Sequence, residues 1–186
     1  MSRIYLVRHA KAAARFDEDP DPSLSDDGKE AAIDLALELE KLGPLPIYTS
    51  PMERARETAL PLANRWGSVP EVSAAFSEIP TPAEIAEQGI KARGPWLQQI
   101  ANQRYSAQPS IIRAWREGLI GMLRSCRSDT VIFTHFMVIN AAMSAAMNDE
   151  RMVVMQPDYC SCTVVETTMR GLSVVSRGVE ATTKVL

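Results

Sequence analysis

The apolar positions of this chain follow two rhythms. Short continuous runs bounded by turn residues, at 4–7, 46–50 and 130–134, have the length and composition of buried strands. Elsewhere apolar residues recur three and four apart, the spacing of a helix with one buried stripe. Ala32, Leu35, Ala36, Leu39 and Leu42 follow Ser25, a capping residue, with Asp26 and Asp27 in the favourable first turn; Gly43-Pro44 ends the run. Ser50-Pro51 pairs a cap with a proline suited to the first helical position, predicting a helix from Pro51 to about residue 65. Thr81-Pro82-Ala83-Glu84 has capping-box spacing, predicting a helix over 82–92. Further helices are expected over 95–105, 110–126 and 137–147. Residues 11–24, with Asp17, Asp19, Asp21, Pro20 and Pro22, read as loop, and 69–76 is ambiguous, with a short strand as one reading. Segments 163–167 and 172–176 around Arg170-Gly171 form a hairpin pattern.

No repeat, low-complexity tract or linker divides the sequence, so residues 1–186 are read as one domain. Strands alternating with helices, followed by a hairpin, predict an α/β fold. Its form is three-layer α/β/α, with a central mixed, mostly parallel sheet. The insert at about 71–108 is expected to make a small helical cap over one edge.

Composition changes this picture mainly by exclusion. Apolar residues make up 46% and charged residues 23%, and the net charge is −3. That balance leaves no electrostatic footprint for nucleic acid or for an anionic membrane. An anionic ligand must then be held by a few placed cations. No run has the length of a signal peptide core or a membrane span, so a cytoplasmic location is expected. Three cysteines are no disulfide framework. Cys160 and Cys162 lie two apart, and with only two histidines in the chain a closed zinc site is hard to assemble. Both are expected as small buried hydrophobes on one face of a strand. Neither a metal nor a cofactor is expected, and oligomeric state is not legible.

Each of the two histidines ends a predicted strand: His9 follows the first, His135 follows residues 130–134. Ligands of open α/β sheets bind at the carboxyl ends of strands. One such histidine would be read as structural, whereas two in equivalent positions suggest a shared site. Arg8 adjoins His9, where a charge must reach water or find a partner. Arg54 falls in a helix's first turn, opposing the dipole, with Glu53 and Glu57 as a bland offset. A planar guanidinium there can clamp a phosphate through two bonds. Arg56 is expected on the surface. Glu78 reads equally as a site carboxylate or a solvated loop residue, with Glu84 and Glu87 as nearby substitutes.

These residues carry a resemblance. Leu6-Val7-Arg8-His9-Ala10, Leu24-Ser25-Asp26-Asp27-Gly28, Thr49-Ser50-Pro51-Met52-Glu53-Arg54-Ala55, Phe76-Ser77-Glu78-Ile79 and Val131-Ile132-Phe133-Thr134-His135 follow in the order seen in the phosphoglycerate-mutase-like histidine phosphatase superfamily, which the chain resembles along nearly its whole length. The resemblance implies a metal-independent phosphatase that hydrolyses a phosphomonoester through a phosphohistidine. His9 would be the nucleophile. Arg8, Arg54 and His135 would hold the phosphoryl oxygens, and Glu78 would supply the leaving group's proton. Three departures stand out. Ala10 replaces a common glycine, Arg15 occupies the place of a phosphate-contacting asparagine, and Phe136 follows the second histidine where glycine is frequent. Arg15 is therefore either a further phosphate or substrate cation or a surface ion pair. The implied partner is a small phosphorylated metabolite. The Arg8-His9-Ala10-Lys11 opening also resembles compact phosphohistidine protein phosphatases, so a phosphoprotein is the alternative. A phosphoglycerate-type mutase and a non-catalytic phosphate-binding module are the remaining readings.

Overall fold

The computed structural model describes residues 1–15 and 18–182, so Asp17 of the expected loop lies outside the described residues. Among the described residues six strands form one sheet in the order β3-β2-β4-β1-β5-β6. The strands are β1 (Arg3–Arg8), β2 (Ile47–Thr49), β3 (Glu71–Val72), β4 (Thr130–Thr134), β5 (Cys162–Thr168) and β6 (Gly171–Ser176). β1, β2, β3 and β4 run parallel, while β5 is antiparallel to β1 and β6 antiparallel to β5. The sheet is thus mixed and flanked by helices, as the α/β expectation required.

Alternation along the strands explains the two layers. Ile4, Leu6 and Ile132 point into one cluster, with Met137, Leu119 and Ile112 of the helices packed on that face. Val7, Val131 and Phe133 point the other way, against Leu35, Leu39 and Leu62. β4 is buried along its whole length, which is why its sequence is a continuous apolar run rather than an alternating one.

Helices α1 (Asp26–Leu39) and α2 (Glu53–Trp66) cover one face; α5 (Ser110–Ser125) and α6 (Phe136–Ala146) cover the other. Ser25 caps α1 as expected, accepting the Gly28 N–H at 3.1 Å. Gly28 is needed for a packing reason: a Cβ there would meet the backbone carbonyl of Lys11, which already accepts the Ser25 N–H at 3.0 Å. This contact ties the loop after β1 to α1.

Three local expectations need correction. α2 begins at Glu53, two residues later than Ser50-Pro51 suggested. Asp21 from the loop provides its cap, accepting the Glu53 N–H at 2.8 Å, while the Ser50 hydroxyl is drawn to His135. The predicted helix over 82–92 is only α3 (Ala83–Ala86) and a 3₁₀ turn at Ile90–Ala92. The Thr81 hydroxyl caps nothing, and Gly89, at φ +91°, breaks the run. The helix expected over 95–105 is α4 (Arg93–Ala101), shifted towards the N-terminus. Residues 69–76 split into the two-residue β3 and a 3₁₀ turn at Ala74–Phe76. Among the described residues no helix is long and apolar enough to cross a membrane.

Candidate active site

Register, more than any single residue, assembles the site. Arg8 of β1 lies beside Thr134 of β4, and Thr49 of β2 lies beside Phe133. The next residue of each strand therefore emerges at one edge: His9, His135 and Ser50 side by side. Backbone bonds lock them, His9 N–H to Thr134 C=O at 2.9 Å and Ser50 N–H to Phe133 C=O at 3.0 Å. α2 is pinned to the same edge through Thr58, whose Oγ1 accepts the Ala10 N–H at 3.0 Å and donates to the Arg54 carbonyl at 2.6 Å. Ala10 has no positive φ, so no glycine is needed after His9.

The protonation of both rings follows from their partners. His9 Nδ1 lies 2.8 Å from the Ala10 carbonyl, which only accepts, so Nδ1 carries the proton. Its Nε2 keeps the lone pair and accepts Arg54 Nε–H at 3.3 Å. Arg54 Nη2, which only donates, is 3.4 Å from His135 Nδ1. That nitrogen is therefore the acceptor, and His135 Nε2–H donates to Ser50 Oγ at 2.7 Å. One guanidinium thus satisfies the lone pairs of both histidines. Burial, then the charges of Arg54 and Arg8, hold the His9 imidazolium well below its ordinary range, so the ring is a free base with an available nitrogen. His135 is displaced the same way, first by burial and then by His9, Arg54, Arg93 and Arg8.

Arg8 is 4% exposed and Arg54 7% exposed, and each keeps donors unspent. Arg8 Nη1 donates to the Pro157 carbonyl at 2.9 Å, while its Nε has no partner. The guanidinium lies 3.9 Å from the ring centre of Tyr159 and 5.5 Å from that of Phe136. Aromatic faces thus stabilise its charge, while the carboxylates of Glu78 and Asp158 act on it only through space. Cys160, held at φ +57°, turns the chain beneath Tyr159, and its N–H donates to the Arg8 carbonyl at 3.1 Å. Arg54 Nη1 makes no hydrogen bond and sees the Asp21 carboxylate at 3.6 Å, a loose ion pair that leaves the cation able to take an anion.

Glu78 is not a solvated loop residue. The carbonyls around it are held by three side chains: Phe76 by Thr134 Oγ1 at 2.8 Å, Ser77 by Trp115 Nε1 at 3.3 Å and Ile79 by Arg93 Nη2 at 3.1 Å. Its carboxylate sits at the first turn of α6. Oε1 accepts the Ile79 and Met137 N–H groups at 2.9 and 3.1 Å, and Oε2 accepts Met137 more weakly at 3.3 Å. Burial raises its pKa, and these N–H groups with Arg93 and Arg54 partly oppose the rise. Glu84 and Glu87 are exposed and make no claim on the site.

Arg8, His9, Arg54 and Glu78 line one cavity of about 480 Å³, a size suited to a small molecule. Arg15 lies on its wall with Lys11. Phe136 lines it too, and also packs in the core. His135 does not border the cavity; it is fully buried behind the Arg54 guanidinium. Arg56 is on the surface as expected. Sequence reasoning missed Tyr159, Arg93 and the role of Ser50. Arg93, a cation opening a helix against its dipole, was a readable signal; Tyr159 offered none. Cys160 precedes β5 instead of sharing a strand with Cys162, and both are only partly buried. Among the described residues no group of three or more histidines, cysteines or carboxylates is placed to hold a metal ion.

Fold and site together define an α/β protein with a cation-lined pocket at the carboxyl ends of parallel strands. Its particular membership follows from sequence: the model of the histidine phosphatase superfamily (branch 1) matches residues 4–180, and the chain belongs to that family. No curated protein sequence matches it. Solved structures share the fold. A mycobacterial glucosyl-3-phosphoglycerate phosphatase complexed with VO3 is 20% identical, with TM-score 0.71, and the alignment covers 98% of this chain and 100% of that one. YhfR of Bacillus stearothermophilus is 20% identical, with TM-score 0.74 and coverage of 97% and 98%. A protein of Thermus thermophilus, TTHB049, is 20% identical, with TM-score 0.64 and coverage of 96% and 99%.

Proposed function

We propose that this protein is a metal-independent phosphatase that hydrolyses a small phosphomonoester through a phosphohistidine on Nε2 of His9. The observation that carries the reading is the state of His9. Its Nδ1–H is committed to Ala10, its Nε2 lone pair meets Arg54, and Arg8 lines the same cavity. Arg8 and Arg54 then balance charge on the transferring oxygens, and His135, behind the cavity wall, positions the Arg54 guanidinium. Nε2 forms a bond to phosphorus as the bond to the leaving oxygen breaks, and protonated Glu78 delivers its proton to that oxygen. Water next attacks the phosphohistidine and gives its proton to the Glu78 carboxylate, which frees phosphate and restores His9. Oε2, the less committed oxygen of Glu78, suits the donor role.

A walled cavity of about 480 Å³ favours a metabolite over a phosphoprotein. A relative of the same fold is a glucosyl-3-phosphoglycerate phosphatase, which agrees with a metabolite substrate. Arg15, on the cavity wall, is assigned to the non-reacting part of the substrate. A cytoplasmic location fits such a substrate. The test is steady-state hydrolysis of a panel of phosphorylated metabolites beside a phosphohistidine protein, with and without a strong chelator. Release of phosphate from a metabolite, undiminished by chelator, is expected. Activity confined to the phosphoprotein, or lost in chelator and restored by a divalent ion, would overturn the respective half of the reading.

A further inference from the structure

Arg8, the last residue of β1, is enclosed by one short segment of chain. The Ser161 carbonyl accepts the Arg8 N–H at 3.1 Å, the Arg8 carbonyl accepts the Cys160 N–H at 3.1 Å, and the Pro157 carbonyl accepts Nη1–H at 2.9 Å. The segment is itself anchored, because Asp158 N–H donates to the Val179 carbonyl at 2.9 Å. Tyr159 sits in the middle of this run. Its ring centre lies 3.9 Å from the Arg8 guanidinium carbon and 5.7 Å from the centre of the His9 ring. Tyr159 is 43% exposed and borders the cavity.

A buried guanidinium ordinarily settles on a carboxylate. Arg8 does not, although Glu78 and Asp158 are near enough to attract it. Both carboxylates are engaged elsewhere. Glu78 Oε1 takes the Ile79 and Met137 N–H groups, and Asp158 Oδ1 takes the Tyr159 N–H at 2.8 Å. The face of Tyr159 occupies the place over the guanidinium instead. A ring face attracts a cation through its quadrupole, and the attraction strengthens where water is excluded. Unlike a carboxylate it carries no net charge, so it holds the cation without cancelling it. Arg8 Nε still has no hydrogen-bond partner. Phe136, 5.5 Å away and packed in the core, is the more distant of the two aromatic faces.

We infer that Tyr159 is a positioning residue for Arg8: the face of its ring holds the guanidinium at the cavity, apart from Glu78 and Asp158, with its charge left for a phosphoryl group. The inference rests on the reading of the cavity as a phosphoryl site. Without the ring, the guanidinium is free to turn towards either carboxylate. A paired arginine offers an incoming anion a weaker field and fewer donors.

The probe is inorganic phosphate, titrated into the full chain by calorimetry. Tyr159→Leu keeps apolar bulk and removes the face, so phosphate should bind about 5- to 30-fold more weakly. Tyr159→Phe keeps the face and drops the hydroxyl, and should restore binding to within about twofold of the parent. Packing alone could give both results, so the deciding series places phenylalanine bearing one, two and three ring fluorines at position 159. Size barely changes along that series, while each fluorine draws electron density from the face. Phosphate affinity should therefore fall stepwise. Thermal melting establishes that each variant is folded. Equal affinity across the fluorinated series would overturn the inference, and so would parent-like binding by Tyr159→Leu. A loss in Tyr159→Phe as large as that in Tyr159→Leu would overturn it too, by assigning the effect to the hydroxyl. Should the parent itself bind no phosphate, the phosphoryl-site reading falls and the inference with it.

Discussion

Replacing Arg54 by lysine keeps a positive charge and removes a geometry. The guanidinium offers Nε towards His9 at 3.3 Å, Nη2 towards His135 at 3.4 Å and Nη1 towards Asp21 at 3.6 Å. A single ammonium cannot present two parallel donors to one phosphoryl group while keeping its place between the histidines. The loss is therefore at least one charge-assisted bond made to the transferring group, worth about 1.5–3 kcal/mol. Such a loss corresponds to a fall of roughly 10- to 150-fold in kcat. The assay is single-turnover hydrolysis of an aryl phosphate by Arg54→Lys, with thermal melting to establish that the fold persists. A folded variant with kcat within about twofold of the parent would mean that charge alone matters at this position, and the clamp argument would be wrong.

Other outcomes follow from the same geometry. Glu78→Gln keeps an acceptor for the Ile79 and Met137 N–H groups and removes only the proton, so alkyl phosphates should slow by roughly 100-fold and nitrophenyl phosphate far less. Equal losses on both substrates would deny Glu78 the donor role. His9 must be neutral to attack and its pKa is lowered, so the acid limb of kcat/KM should lie below the ordinary 6.5. Glu78 must be protonated and its pKa is raised, so the alkaline limb should lie above the ordinary 4.5. An acid limb at or above 6.5 would contradict the buried, cation-flanked picture of His9. Gly28→Ala, which gains roughly 1 kcal/mol of helix propensity, should nevertheless lower stability in urea melts by about 1–3 kcal/mol, because its Cβ meets the Lys11 carbonyl. A stabilised variant would show that the loop after β1 can yield.

The strands and the long helices are legible because their apolar periods are strong, and the histidines because each directly follows such a run. The parallel register that sets His9, His135 and Ser50 abreast is a tertiary fact, and no local pattern encodes it. Residues 82–92 read as a long helix because a capping-box spacing is present. Gly89 and the unused Thr81 hydroxyl show that tertiary packing decides otherwise. Ser50 reads as a helix cap on sound local grounds; a buried imidazole competes for its hydroxyl and Asp21 takes over the cap. Tyr159 is invisible for a different reason. It lies over Arg8 next to a non-glycine residue, Cys160, in a left-handed turn, and no local pattern announces either.

A covalent role for His9 Nε2 requires a phosphoenzyme that can be trapped. The protein is mixed briefly with a ³²P-labelled metabolite phosphate in the presence of chelator, denatured, and assayed for bound label. Label that is base-stable and acid-labile is expected on His9, and none in His9→Ala while that variant stays folded. Label on another residue, or His9→Ala retaining turnover and label, would contradict it.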